Sequence, residues 1–156
     1  MSAEKTIVVK GQQYCIHDRG PVKVAVSIMP GMLLARDAAD TLIPHGAAAA
    51  NVGSRMFAIE DDLQGKDIDD AYAALQECTY VTAVRGALIN ALVAPSAAAV
   101  VIGSFVESAG DGTVKIVAAD VATDTAQRNA IVGFAREAVD NSANAVTRAR
   151  VLIEIV

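Results

Sequence analysis

Four side chains of this sequence could hold a soft metal ion. Cys15, His17, His45 and Cys78 supply two thiols and two imidazoles, the donor number of a tetrahedral zinc site. Cys15-x-His17 places both side chains on one side of an extended chain, but no C-x-x-C or H-x-x-x-H spacing completes the set. Ordinary core and surface roles are therefore expected for all four. Cys15, His17 and Asp18 include a nucleophile, a base and an acid, yet near-adjacent positions on an extended chain do not line these groups up for attack.

The carboxylates between Glu60 and Asp70 lack the alternating D-x-D-x-D-G pattern of a calcium loop and are interrupted by Lys66, so they read as a solvated acidic loop. No G-x-S-x-G, phosphate-cradling glycine loop or H-E-x-x-H occurs. Gly103, Gly110 and Gly112 are too far apart for a dinucleotide fingerprint and sit in a hairpin context, as turn and bulge residues do. Neither an enzyme nor a bound cofactor is expected.

Composition narrows the partners. The chain has 156 residues, enough for one domain that buries about 70% of its unfolded surface. It is 53% hydrophobic but only 4% aromatic, with no Trp, so the core is aliphatic and few ring faces remain for stacking bases or sugars. The net charge is −5 and the 13 basic residues are scattered, apart from Arg148 and Arg150, which argues against a phosphate-tracking groove for nucleic acid. The apolar stretch around Ala97 to Ile102 is broken by Gly103 and Ser104 and is too short to span a bilayer. Met1-Ser2-Ala3-Glu4-Lys5 lacks the basic region and apolar run of a signal peptide, so synthesis and function in a cytosol-like compartment are expected, with Cys15 and Cys78 as free, buried thiols.

Strand signals must position whatever the chain presents. Thr6 to Lys10 opens the series, and Val22 to Met29 alternates Val22, Val24, Val26 and Ile28 against Lys23, Ala25 and Ser27, the period of a half-buried strand. Met32 to Ala35, Leu42 with Ile43, Met56 to Glu60, Val81 to Arg85, Ala99 to Glu107, Thr113 to Ala119, Ile131 to Val139 and Thr147 to Val156 continue it. Ser108-Ala109-Gly110-Asp111-Gly112 is the clearest hairpin turn. Asp67 is placed to cap a short helix carrying Ile68, Tyr72 and Leu75, while Gly86 to Leu92 fits either a strand or a helical turn. In the last segment Ala149, Val151, Ile153 and Ile155 share one face, which ties the end of the chain into a sheet. The expected fold is mainly β, a compact barrel or sandwich of short strands with at most one or two short helices. Residues 1–13 form an N-terminal arm or a first strand, and 14–156 a single β-rich domain.

An ordered set of phrases runs through this grammar: Pro30-Gly31-Met32-Leu33-Leu34, Pro44-His45-Gly46, Phe57-Ala58-Ile59-Glu60-Asp61 and Gly65-Lys66-Asp67-Ile68-Asp69-Asp70-Ala71-Tyr72. Glu107-Ser108-Ala109-Gly110-Asp111-Gly112-Thr113, Ile131-Val132-Gly133-Phe134-Ala135-Arg136-Glu137-Ala138-Val139-Asp140 and Arg148-Ala149-Arg150-Val151 complete it. Together these resemble the head decoration, or capsid cement, proteins of tailed bacteriophages, over roughly residues 20–156. The sequence departs from that pattern at Leu75-Gln76-Glu77-Cys78, where a Gly-Asp turn is more usual. The resemblance implies a cofactor-free β domain, made in the host cytoplasm, that binds the major capsid protein on the outer surface of the virion, commonly as a homotrimer, without contact to nucleic acid or membrane.

Two stretches are candidates for the capsid contact. Ile7, Val8 and Val9 could add a strand to a capsid edge, or form the first strand of the domain. Ala47, Ala48, Ala49 and Ala50 offer a flat small-residue surface, or an ordinary tight loop. The alternative function is a soluble β-barrel that binds a small ligand or a metal, because such barrels commonly hold ligands and fold alone does not set function.

Overall fold

A computed structural model describes residues 6–46, 52–117, 129–143 and 149–156. Among the described residues there are eleven short strands: β1 (Val8–Lys10), β2 (Ile16–Pro21), β3 (Leu33–Arg36), β4 (Leu42–Pro44), β5 (Met56–Ala58), β6 (Glu77–Thr82), β7 (Leu88–Leu92), β8 (Phe105–Ser108), β9 (Val114–Ile116), β10 (Ile131–Ala135) and β11 (Arg150–Ile155). They form two antiparallel sheets, one ordered β1-β7-β11-β10-β8-β9 and the other β2-β6-β5-β3-β4. The fold is thus the sandwich of the two expected architectures and not a closed barrel. Single-turn 3-10 helices stand at Gln12–Tyr14 and Asp62–Gln64.

The main core lies between the sheets. Leu33, Phe57 and Val81 of the five-stranded sheet meet Ile89, Ala91, Val106, Val132, Val151, Ile153 and Ile155 of the six-stranded one. In a strand, successive side chains point to opposite faces. The neighbours of those three residues therefore point away from the main core, and Leu34, Met56, Ala58, Cys78 and Tyr80 build a second core on the far side of the sheet, closed by Val22, Ile28, Leu42 and Tyr72. The five-stranded sheet is buried on both faces, which is why all three residues of β5 are buried.

That second core explains why Val22 to Met29 is not a strand. Val22 and Ile28 are fully buried, but Val24 between them faces solvent and Ala25 takes a φ of 63°, which breaks the extended path. The segment instead lies over the core as a lid, held by an isolated pairing at each end, Val22 with Leu42 and Ile28 with Tyr72. Tyr72 closes the cluster, its hydroxyl donating to the Ile59 carbonyl at 2.8 Å.

Other boundaries shift for similar local reasons. Asp67 caps no helix: its carboxylate accepts the amide of Asp69 at 2.8 Å in a turn, and the helical turn lies upstream, where the Asp61 side chain accepts from the Leu63 amide. Leu75 faces solvent at a φ of 67°, incompatible with that helix. The strand read from Val81 starts earlier, at Glu77, and the one read from Ala99 starts only at Phe105, after Val100 makes a single bridge to Val139. Gly86 to Leu92 resolves into β7. The hairpin at Asp111-Gly112 joins β8 to β9, and β11 is an interior strand between β7 and β10.

Two glycines join the sheets through the backbone. The Gly31 amide donates to Ala58 of the five-stranded sheet at 2.8 Å, while its carbonyl accepts from Leu92 of the six-stranded sheet at 3.0 Å. Its φ is 91°, and a Cβ there would stand 2.9 Å from the Asn90 carbonyl oxygen. Gly112, in the β8–β9 turn, donates to His45 at 3.2 Å and accepts from Leu33 at 2.7 Å, and a Cβ on it would meet Pro44 at 2.9 Å. The outer strand of the five-stranded sheet, β2, is blunted against further pairing at two positions: the Asp18 carboxylate takes the Arg19 amide at 2.8 Å, and Pro21 has no amide to offer.

Gly31→Ala combines an unfavourable φ with a backbone clash, so it should lower the stability of the fold by about 1–3 kcal/mol. Chemical denaturation of the purified variant beside the parent measures this, and an unchanged midpoint would contradict the role assigned to Gly31.

Candidate interaction surface

The thiols and imidazoles do not gather. Cys15 lies in the main core and Cys78 in the second, on opposite sides of the five-stranded sheet. Both thiols are free, and burial pushes that of Cys78 up to about 12. The His17 Nε2 lies 3.2 Å from the Gln12 carbonyl at the surface, whereas the buried His45 places Nδ1 2.7 Å from the Ser108 Oγ. Among the described residues no group of three or more His, Cys, Asp or Glu side chains is arranged to hold a metal ion. Ser108 and His45 pair a hydroxyl with an imidazole as a nucleophile and base would, but Ser108 is fully buried and its Oγ already accepts the Gly110 amide at 3.2 Å.

The acidic run is only partly a solvated loop. Glu60 accepts the Thr6 hydroxyl and, at 3.0 Å, the Ile7 amide, fixing the point at which β1 begins. Asp61 is buried and accepts from the Thr79 hydroxyl at 2.6 Å, the Gln64 amide at 2.8 Å and the Arg19 guanidinium at 3.0 Å. These partners, the Thr79 hydroxyl foremost, hold its carboxyl below the usual value of 3.8. Asp69 pairs with Arg150 at 2.9 Å, and Arg150 also donates to the Ile68 carbonyl. Asp62, Asp67 and Asp70 remain exposed.

Of the candidate contact residues, Ile7 and Val8 are buried in the main core and Val9 is half-buried, because β1 is already paired with β7. Ala47 to Ala50 lie outside the described residues. A different surface stands out. Val101 and Ile102 are 57% and 66% exposed at the tip of a turn, and Phe105, which starts β8, is 49% exposed. The turn closes with the Ser104 amide on the Val101 carbonyl at 3.0 Å and is held against β10 by Gly103 and Ser104, each bonded to the Ala135 backbone at 2.8 Å.

Phe105 stands directly opposite Phe134 in the β8–β10 ladder, so the two rings are cross-strand neighbours on one face. Arg136 lies 5.8 Å from the Phe134 ring centre and pairs with Glu154 at 3.3 Å, giving the apolar surface a charged margin. Only three phenylalanines exist in the chain, and two of them, Phe105 and Phe134, lie on this outer face rather than in the core. A sequence signal for Phe105 was present in its parity with the charged Glu107, although Glu107 itself is buried along with Val106 and Ser108. For Phe134 there was none, because the register shifts between Ile131 and Gly133.

Two open clefts also lie on the described surface. One, of about 390 Å³, is bordered by Leu34, Arg36, His45, Ser54 and Met56. Its Arg36 is committed to Asp40 at 2.7 Å and to Tyr80 at 2.5 Å. The other, of about 310 Å³, lies between Lys10 to Tyr14 and Val84 to Ala87. No family model matches the chain, and no curated protein matches its sequence. Among the described residues, no helix is long and apolar enough to cross a membrane.

The Asp61 site carries an acid-dependent share of stability. Because its folded pKa is depressed, that share is complete above the ordinary aspartate value and is lost as the pH falls through 3.8 and below. The stability difference between the parent and Asp61→Asn should be constant above about pH 5 and shrink below it. Denaturation midpoints across that range measure it, and a pH-independent difference would contradict this role. The buried thiols give a second readout: a thiol reagent near neutral pH should label the native protein at least about a hundredfold more slowly than the urea-unfolded chain.

Proposed function

We propose that this chain is a non-enzymatic decoration, or cement, protein that binds the exterior of an assembled bacteriophage head and bridges neighbouring subunits of the major capsid protein. The ordered phrases from Pro30 to Val151 support the choice of partner. The contact face is carried by one observation: exposed Phe105, Val101 and Ile102, with the half-buried Phe134 opposite Phe105, lie at one end of the β8–β10 ladder. Monomeric proteins rarely leave such side chains clustered in water without a partner. A net charge of −5 suits a surface that does not meet packaged nucleic acid.

In this reading the protein works by placement, with no cofactor. A single copy on a shell gains only the energy of one small apolar patch, whereas several linked copies, a homotrimer in the family this chain resembles, gain avidity from effective concentration. Contacts to adjoining capsomers then oppose their separation.

The experiment is to add purified protein to heads assembled without it and to image the shells. The expected result is density at regular exterior positions, with Phe105→Asp reducing occupancy at least about tenfold while melting at the parent's temperature. Shells left bare by the folded parent would overturn the proposal. Full occupancy with Phe105→Asp and Ile102→Asp would overturn the assignment of the face.

A further inference from the structure

The two ends of the β2–β6 ladder are chemically opposite. At the end where Ile16 pairs with Thr82, the 310 Å³ cleft is bordered by Lys10, Gln13, Tyr14 and Arg85, with the Tyr14 ring 69% exposed and Ile16 exposed beside it. At the end where Pro21 pairs with Glu77, the 3-10 turn Asp62–Gln64 is fastened by the Gln64 side chain to the Glu77 carbonyl at 2.9 Å. It projects Leu63, 88% exposed, the most exposed large apolar side chain described.

Charge matches shape at each end. Lys10 and Arg85 are exposed and make no ion pair among the described residues. Beside Leu63, Asp62 is exposed, and Asp67 and Asp70 follow it exposed in the same acidic segment; none of the three makes an ion pair among the described residues. The basic residues near the turn are already engaged: Arg19 pairs with Asp61, and Lys66 turns inward to the Ala71 carbonyl at 2.8 Å. Among the described residues, one end thus presents a leucine beside the unpaired Asp62 in an acidic segment, the other a tyrosine-walled cleft with the unpaired cations Lys10 and Arg85.

We infer that these ends are the two halves of one interface, and that the Leu63 turn of one copy seats in the Lys10–Arg85 cleft of the next. Leu63 leaves water against Tyr14 and the aliphatic stems of Lys10 and Arg85, and Asp62 faces their charges. β6 separates the two patches by about 17 Å, at ~3.3 Å per residue, and they terminate opposite ends of one ladder. The contact is therefore heterologous and runs head to tail, so association proceeds beyond a dimer until it closes or extends. It uses neither Phe105 nor Phe134 and is read in free protein, so it stands or falls separately from capsid binding.

The test combines two variants of exposed residues, each checked for the parent's melting temperature. One, Lys10→Ala/Arg85→Ala, lacks the cleft charges; the other, Asp62→Asn/Leu63→Ser, lacks the projecting turn. In sedimentation at about 0.05 M salt the parent should exceed a dimer, and raising salt to about 0.5 M should weaken it. Each variant alone should associate at least about tenfold more weakly than the parent. Equal mixtures should form a dimer and stop there, since only one intact contact can be made between an intact turn and an intact cleft. A parent that stays monomeric or stops at a dimer overturns the inference, as does a mixture that stays monomeric.

Discussion

The two sheets of this protein are held in place by peptide groups at Gly31 and Gly112 that belong to neither ladder. Each donates a backbone hydrogen bond and accepts another at the boundary between layers, where an unpaired amide or carbonyl would be costly. Apolar contact between sheets is non-directional and would tolerate sliding. These bonds do not tolerate it. With the layers fixed, Leu33, Phe57 and Val81 face the main core and their neighbours must face away, so the lid from Val22 to Ile28 and the buried Tyr72 become necessary to cover them.

Much of this frame was legible in the sequence where one period governed a segment. Val151, Ile153 and Ile155 alternate as read, and Asp111-Gly112 makes the turn its chemistry indicates. Legibility failed where a pattern had two physical origins. Val22 and Ile28 are apolar because they cap a second core, and the intervening alternation mimics a strand that the positive φ of Ala25 forbids. Asp61 and Glu60 looked solvated because their partners, Thr79, Arg19 and Thr6, are distant in sequence and converge only when the sheet forms.

The surface was less legible than the core, for a related reason. Burial leaves a periodic trace, but the outward rotation of Phe134 depends on an irregularity in β10 that no local composition announces. The Ile7 to Val9 segment illustrates the reverse. Its apolar run suited an external contact as well as a first strand, and Glu60 and Asn90, far along the chain, fix it as β1 by binding Thr6 and Ile7. Several of the ordered phrases in the sequence fall at such points of convergence: Pro30-Gly31, Pro44-His45 and Gly110-Asp111-Gly112 are places where separate strands meet. They report the frame, while the residues that distinguish one surface from another lie between them.

The blunted edge of β2 has a consequence for how such a molecule can change over time. With the Arg19 amide occupied by Asp18 and Pro21 lacking one, that ladder is a poor template for another strand. A contact formed there would rest on side chains, which dissociate and re-form without unfolding anything. Substitutions at such positions retune what the molecule touches one residue at a time, leaving the sandwich beneath them intact, so that a lineage can follow a changing partner without having to reinvent its scaffold.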